Sequence, residues 1–121
     1  MNNTSDPKVN KSIDLEFLKS VIGDDVEFEK ELFAIFIENA HNNVAKMEDA
    51  LATSNTNSWY MASHAFKGAS ASIGAFDLSA ILEYAQKHPE ETAEQKKAVV
   101  QKLKDELQLV IEFINQELSD K

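Results

Sequence analysis

The spacing of the apolar residues constrains the fold of this chain more than any other feature of its sequence. Between Ile13 and Leu118 these residues recur at steps of three and four, which places them on one face of an α-helix. No segment shows the strict alternation of apolar and polar residues that is typical of a half-buried strand. The pattern therefore predicts an all-α fold.

Breaks in this pattern divide the chain into one short helix and four longer ones. Aspartates precede the first two helices and can cap them, whereas Gly23 and Gly74 favour the left-handed conformation that ends a helix. Pro89 ends the fourth helix, because its ring removes a hydrogen-bond donor. The predicted helices span about residues 15–22, 25–51, 55–72, 77–87 and 92–118. They most simply form an antiparallel up-and-down four-helix bundle with a short additional N-terminal helix.

The second helix carries a long predicted core face. Its predicted buried residues are Phe28, Leu32, Ile35, Phe36, Ala40, Val44, Met47 and Leu51. We also expect Phe33, Trp59 and Phe66 to pack in the core.

Composition and charge limit the class of protein. The chain has 121 residues, of which 43% are hydrophobic, enough for one domain with its own core. We expect that domain to span residues 12–121 as a monomer, preceded by a flexible polar leader, residues 1–11. The net charge of -9 and the lack of a basic patch disfavour nucleic acid and anionic membrane surfaces as partners. The chain has no cysteine and no long apolar run, so we expect a cytoplasmic protein.

His64 is predicted to point away from the core of the third helix. On a helical wheel with about 100° per residue, the apolar residues of this helix cluster opposite His64. They are Trp59, Ala62, Phe66, Ala69 and Ile73. Lys67 and Gly68 follow His64 at i+3 and i+4, and Ala71 lies another turn along the same side. The helix therefore offers solvent a histidine beside a cation and a bare backbone.

This arrangement suits the transport of a phosphoryl group. The neutral form of an exposed imidazole has a free nitrogen lone pair that can attack phosphorus. Lys67 can balance the charge of phosphoryl oxygens, and Gly68 leaves room for another protein to approach. Glycine in a helix interior costs about 0.5–1 kcal/mol relative to alanine, and close approach would explain its presence. The alternatives are an ordinary surface histidine, a solvated lysine and a glycine used in helix packing.

The residues around His64 form a longer pattern. They read SHAFKGASASIGAFDLSAILE, in which H-x-x-K-G is followed by small residues, a G-A pair and a leucine-rich segment ending in L-E. This pattern resembles the signature of histidine-containing phosphotransfer (HPt) domains. The matching residues are His64, Lys67, Gly68, Ala69, Ser70, Gly74, Ala75, Leu78, Leu82 and Glu83. Residues 13–40 are similar to the first two helices of that family, so the resemblance covers roughly residues 13–86.

The resemblance implies a place in a phosphorelay. HPt domains accept a phosphoryl group from an aspartyl phosphate on one receiver domain and pass it to the aspartate of another. By this resemblance His64 carries the group on Nε2, Lys67 supports the phosphate and Gly68 provides clearance. Gln86 matches a position where some members place a glutamine that hydrogen-bonds the imidazole or the phosphoryl group.

The resemblance also implies partners and cofactors. The expected partners are receiver domains of hybrid histidine kinases and of response regulators. The chain itself is expected to bind no cofactor and to have no autonomous kinase activity, with Mg²⁺ supplied by the receiver. Ser63 stands where the family commonly has alanine. Glu90 stands where some members have a basic residue, so the resemblance does not extend to a second positive contact.

A docking surface follows from the same resemblance. Family members receive their partners around the histidine and on apolar residues of the first helix. Ile13, Leu15, Phe17 and Leu18 give that helix more apolar groups than one buried face needs. We expect some of them, with Ala71, to contact a partner. The alternative is that they only cover one end of the bundle.

Other functions remain open to test. A non-phosphorylated helical adaptor or inhibitor would bind its partner without using His64. A kinase or hydrolase is disfavoured, because the sequence has no phosphate-binding glycine loop and no nucleophile with a matched base. A chemotaxis-kinase phosphoacceptor domain would predict kinase domains beyond residue 121. His41 and His88 lack the K-G pattern and are interpreted as incidental, and the spacing of the three histidines predicts no metal site.

Overall fold

The computed structural model describes residues 12–120, and this part of the chain folds into five α-helices with no β-strand. The helices are α1 (Leu15–Ile22), α2 (Val26–Ala52), α3 (Thr56–Ser72), α4 (Phe76–Lys87) and α5 (Ala93–Ser119). These bounds confirm the all-α prediction and lie close to the predicted ones. The predicted leader, residues 1–11, lies outside the described residues.

Local capping explains where most of these helices begin. The side chains of Asp14 and Asp25 each accept a hydrogen bond at 3.0 Å from a backbone N–H in the first turn of α1 and α2. Asn55 does the same for α3 at 2.9 Å, and Thr92 forms a capping box with Gln95 at the start of α5. Each cap satisfies an amide that the first turn leaves without a partner. Because both partners are close in sequence, these helix starts can be predicted from the sequence.

The four longer helices surround one core. α3 packs against α2 and α4, and α5 packs against the same two helices, so the contacts run around a closed ring. Among the largest fully buried side chains are Phe33, Met47, Trp59, Phe66, Ile73, Leu78, Leu82, Leu103, Val110 and Ile114. The described residues therefore form a helical bundle. None of the helices within residues 12–120 is long and apolar enough to cross a lipid bilayer.

The buried face of α2 differs from the prediction at two positions. Phe28 is 48% exposed and Ile35 is 62% exposed, so their predicted place in the core is wrong. With about 100° per residue, both lie about 80–100° from Phe36 on the side away from Phe33. The apolar face of α2 is wider than the part of it that packs against the other helices. The side with Phe33 is covered, and the side with Phe28 and Ile35 is exposed.

α1 covers the turn between α3 and α4. The backbone N–H of Asp14 donates to the carbonyl oxygen of Gly74 at 2.9 Å. The rings of Phe17 and Phe76 meet edge to face, with centroids 5.1 Å apart. One backbone hydrogen bond and one aromatic contact thus link α1 to the end of the bundle where α3 ends and α4 begins.

The position of α1 corrects part of the predicted docking surface. Ile13 is 3% exposed and Leu18 is 0% exposed, and both belong to the core. Their predicted docking role is therefore wrong, because covering the bundle end uses their apolar surface. Leu15 and Phe17 are half-buried, and a docking role for them stays a prediction.

The close approach of α1 requires glycine at position 74. Gly74 has a φ of +82°, a conformation that other residues rarely adopt. A Cβ atom there would lie 2.9 Å from the carbonyl oxygen of Asp14 and 3.2 Å from Cδ2 of Phe17. Gly68 differs in both respects, because it lies inside α3 and a Cβ atom there would meet nothing within 4 Å.

We expect Gly74→Ala to lower the free energy of unfolding by about 2 kcal/mol or more, because strain and overlap act together. The matched control is Gly68→Ala, which should raise it by about 0.5–1 kcal/mol through helix propensity alone. Urea unfolding followed by circular dichroism measures both. Effects of the same sign would contradict this account of Gly74.

Candidate functional site

His64 lies near the middle of α3 and is exposed to solvent, as the helical wheel predicts. The opposite face of the helix is buried. Its buried residues are Trp59, Ala62, Ser63, Phe66 and Ser70. Among the described residues no hydrogen bond to the imidazole of His64 occurs, so both ring nitrogens are available to an incoming group.

Trp59 fixes how α3 is rotated within the bundle. Its side chain is buried, and its indole N–H donates to the carbonyl oxygen of Ala85 on α4 at 3.0 Å. The ammonium group of Lys96 on α5 lies 5.0 Å from the centroid of the same ring, in cation–π contact. Because Trp59 contacts two neighbouring helices in this way, α3 cannot turn without breaking a buried hydrogen bond.

The turn of α3 after His64 carries little side-chain bulk. Lys67 is half-buried and Gly68 is exposed, and Ala71, predicted as a docking residue, is half-buried. The hydroxyl group of Ser79 on α4 donates to the carbonyl oxygen of Lys67 at 3.3 Å. His64 therefore stands beside a lysine and an open stretch of backbone.

An aromatic residue precedes His64 by one turn. The rings of Tyr60 and His64 are parallel within 3°, with centroids 6.1 Å apart. The side-chain amide of Gln86 on α4 donates from Nε2 to the hydroxyl oxygen of Tyr60 at 3.4 Å. Within the described residues, Gln86 thus connects to the imidazole only through Tyr60. A direct bond from Gln86 to a phosphoryl group stays a prediction.

Tyr60 is not predicted as a site residue, because it lies outside the H-x-x-K-G pattern. Its position at i−4 from His64, on the exposed side of the helix, was the available signal. Its contact with Gln86 joins two helices and could not be deduced from spacing within α3.

Comparison with protein families decides the class of this bundle. The family model for the Hpt domain matches residues 31–118, which is more than half of the chain. The chain belongs to the Hpt domain family. Comparison with curated proteins and with solved structures gave no match. Hpt domains are helical bundles that carry phosphoryl groups in two-component signalling and in general lack kinase activity.

The family match includes most of the site but not the whole fold. All of α3 and α4 lies within the matched range, and so do His64, Lys67, Gly68 and Gln86. α1 and the first turn of α2 lie before it. The likeness of α1 to the first helix of Hpt domains therefore depends on the sequence pattern alone.

Ser63, next to His64, gives this Hpt domain a buried hydroxyl group. The side chain is 0% exposed, and the described residues provide no hydrogen-bond partner for its Oγ. Ser70, also on the buried face, is in the same situation. Serine is nearly as small as alanine, so Ser63 leaves the packing below His64 close to what alanine would give.

The other two histidines of the Hpt domain have different surroundings. His41 is exposed on α2. His88 stacks on Tyr84 with centroids 4.1 Å apart, and its Nδ1 lies 2.8 Å from the carbonyl oxygen of Tyr84. A hydrogen bond from the Tyr84 hydroxyl to Glu91 raises the pKa of Tyr84. Among residues 12–120, no three potential ligand side chains are grouped to hold a metal ion.

Proposed function

We propose that this Hpt domain accepts a phosphoryl group on His64 from the aspartyl phosphate of one receiver domain and passes it to the aspartate of another. The observation that carries the proposal is the exposed imidazole on a family-matched bundle, with Lys67 and Gly68 in the next turn. Its partners would be receivers of hybrid histidine kinases and of response regulators.

The chemistry requires a neutral imidazole with its proton on Nδ1. The lone pair of Nε2 then forms the N–P bond while the P–O bond of the aspartyl phosphate breaks, and the electron pair of that bond stays on the aspartate carboxylate. In the second transfer the N–P bond breaks as a carboxylate oxygen of the second receiver's aspartate bonds to phosphorus. No base within the chain is needed, which agrees with the lack of a described hydrogen bond at the ring nitrogens of His64.

Two neighbours of His64 support this chemistry. The half-buried Lys67 can place its ammonium group against the phosphoryl oxygens, and a charge-assisted hydrogen bond is stronger than a neutral one. Gly68 adds no side chain where a receiver would approach. Mg²⁺ belongs to the receiver in this proposal, because a receiver that holds the ion beside its own aspartate needs none from the carrier.

We also propose that α2 to α5 run in an antiparallel up-and-down order. The connections 53–55, 73–75 and 88–92 are short and join helices that pack together, which favours an antiparallel up-and-down order of α2 to α5. A core closed by four helices and covered by α1 needs no second copy. We therefore propose a monomer that meets receivers in the cytoplasm.

His64→Gln should abolish acceptance of the phosphoryl group, because glutamine has no nucleophilic ring nitrogen. The experiment mixes the purified chain with a ³²P-labelled receiver domain and follows transfer by gel autoradiography. The matched control is His41→Gln, an exposed histidine on α2, which should be labelled like the wild type. Labelling of His64→Gln would refute the assignment. Full cellular function of His64→Gln would favour the adaptor interpretation.

Gly68→Leu should slow transfer at least tenfold while the bundle stays folded. Gly68 is exposed, and a Cβ atom there would have no other atom of the described residues within 4 Å beyond its own part of α3. We therefore expect the added side chain to obstruct an approaching partner and not the packing of the bundle. Gly68→Ala is the graded control, with a smaller loss. Stopped-flow or rapid-quench transfer rates measure the effect, and unchanged rates for leucine would contradict the clearance role.

Lys67→Ala should slow transfer by about ten- to a hundredfold, the effect expected for one hydrogen bond to a charged group. Lys67→Arg keeps the charge and should recover part of the rate. Lys102→Ala, an exposed lysine on α5, serves as the control for net charge. If Lys67→Ala and Lys102→Ala changed the transfer rate equally, Lys67 would not be the phosphate partner.

A further inference from the structure

We propose that Tyr60 is a positioning residue for His64, and that Gln86 acts on the imidazole through it. The inference rests on the proposed role of His64 as phosphoryl acceptor and adds to it the device that orients the ring. Tyr60 is outside the H-x-x-K-G pattern, so the resemblance to HPt domains assigns it no role.

The first observation is the stacking of the two rings. Tyr60 and His64 lie one helical turn apart, and their rings are parallel within 3° at a centroid distance of 6.1 Å. Parallel, offset aromatic rings at this distance attract each other weakly. His64 is exposed and has no hydrogen bond among the described residues, so the stack on Tyr60 is the described contact that can orient its ring.

The second observation is what holds Tyr60 itself. Tyr60 is 40% exposed, and an exposed tyrosine on a helix would ordinarily change rotamer. Here its hydroxyl oxygen accepts from Nε2 of Gln86 at 3.4 Å. Oε1 of Gln86 is buried without a partner among the described residues. The oxygen of the Gln86 amide is thus buried, while its nitrogen is hydrogen-bonded to Tyr60. This bond links the Tyr60 side chain to α4.

The third observation is which side of the imidazole this leaves open. With about 100° per residue, Tyr60 and Lys67 fall about 40° and 60° to one side of His64, and Gly68 falls about 40° to the other. Tyr60 accepts from Gln86, and the carbonyl oxygen of Lys67 accepts from Ser79. Because Gln86 and Ser79 belong to α4, the side with Tyr60 and Lys67 is the one that faces α4. The ring is therefore supported on the α4 side and accessible on the Gly68 side, where a receiver needs the room.

The test separates orientation of the ring from docking of a partner. The full chain is treated with phosphoramidate, a small donor whose P–N bond breaks as the bond from His64 Nε2 to phosphorus forms, releasing ammonia. Tyr60→Phe keeps the ring but loses the bond to Gln86, and labelling should slow about three- to tenfold. Tyr60→Leu removes the ring and should slow labelling further. Transfer from a phosphorylated receiver should slow in parallel.

A double-mutant comparison tests the route through Tyr60. If Gln86 acts through the Tyr60 hydroxyl, Gln86→Ala and Tyr60→Phe should slow labelling by similar factors, and the double variant should be no slower than either. Side-chain coupling constants and ring-to-ring NMR contacts should show that the imidazole loses its preferred rotamer in all three. Unchanged unfolding curves would exclude a loss of fold.

The chain contains its own matched control. Tyr84 also precedes a histidine by one turn and stacks on it, with centroids 4.1 Å apart, at the end of α4. Tyr84→Phe should be labelled at the wild-type rate. Wild-type labelling of Tyr60→Phe and Tyr60→Leu, or multiplying effects in the double variant, would overturn the inference. Failure of every phosphorylated receiver with the wild type, beside normal phosphoramidate labelling, would overturn only the proposed function.

Discussion

A buried hydrogen bond between α3 and α4 determines which way the site faces. The indole N–H of Trp59 has no access to water and is satisfied by the carbonyl oxygen of Ala85. Loss of this bond would leave a buried donor without a partner, which costs about 1–3 kcal/mol. The bond therefore fixes the rotation of α3, and with Trp59 and Phe66 inside, His64 has to point outward.

The helices could be predicted from the sequence because their starts depend on local contacts. The caps at Asp14 and Asn55 each join residues in one turn, and Gly74 marks the end of the α3 segment by its conformation. The rotation of a wide apolar band depends instead on which neighbours cover it. For that reason the sequence pattern wrongly predicts Ile35 to be in the core. Leu18, which the resemblance to the family suggests as a docking residue, is instead used to cover the end of the bundle.

The candidate site could be predicted as far as it depends on spacing within one helix, and not where it depends on packing between helices. His64, Lys67 and Gly68 are related by helical spacing, so their common face follows from the sequence. The connection from Gln86 to Tyr60 joins α4 to α3, and only packing brings the two side chains together. Spacing within one helix therefore predicts which residues share a face with His64, whereas the contact between Tyr60 and Gln86 depends on how α4 packs against α3.

Lys67 is one of the lysines that form no ion pair within residues 12–120, as are Lys19, Lys46, Lys96 and Lys102. Four lysines of the described residues form ion pairs, namely Lys30, Lys87, Lys97 and Lys104. Lys67 forms none within residues 12–120, although the whole chain has a net charge of -9. Exposed ion pairs contribute little to stability, so pairing Lys67 would gain the fold little. What distinguishes Lys67 from the other lysines without an ion pair is its place one turn after His64, where its ammonium group is available to the phosphoryl group that we propose His64 carries.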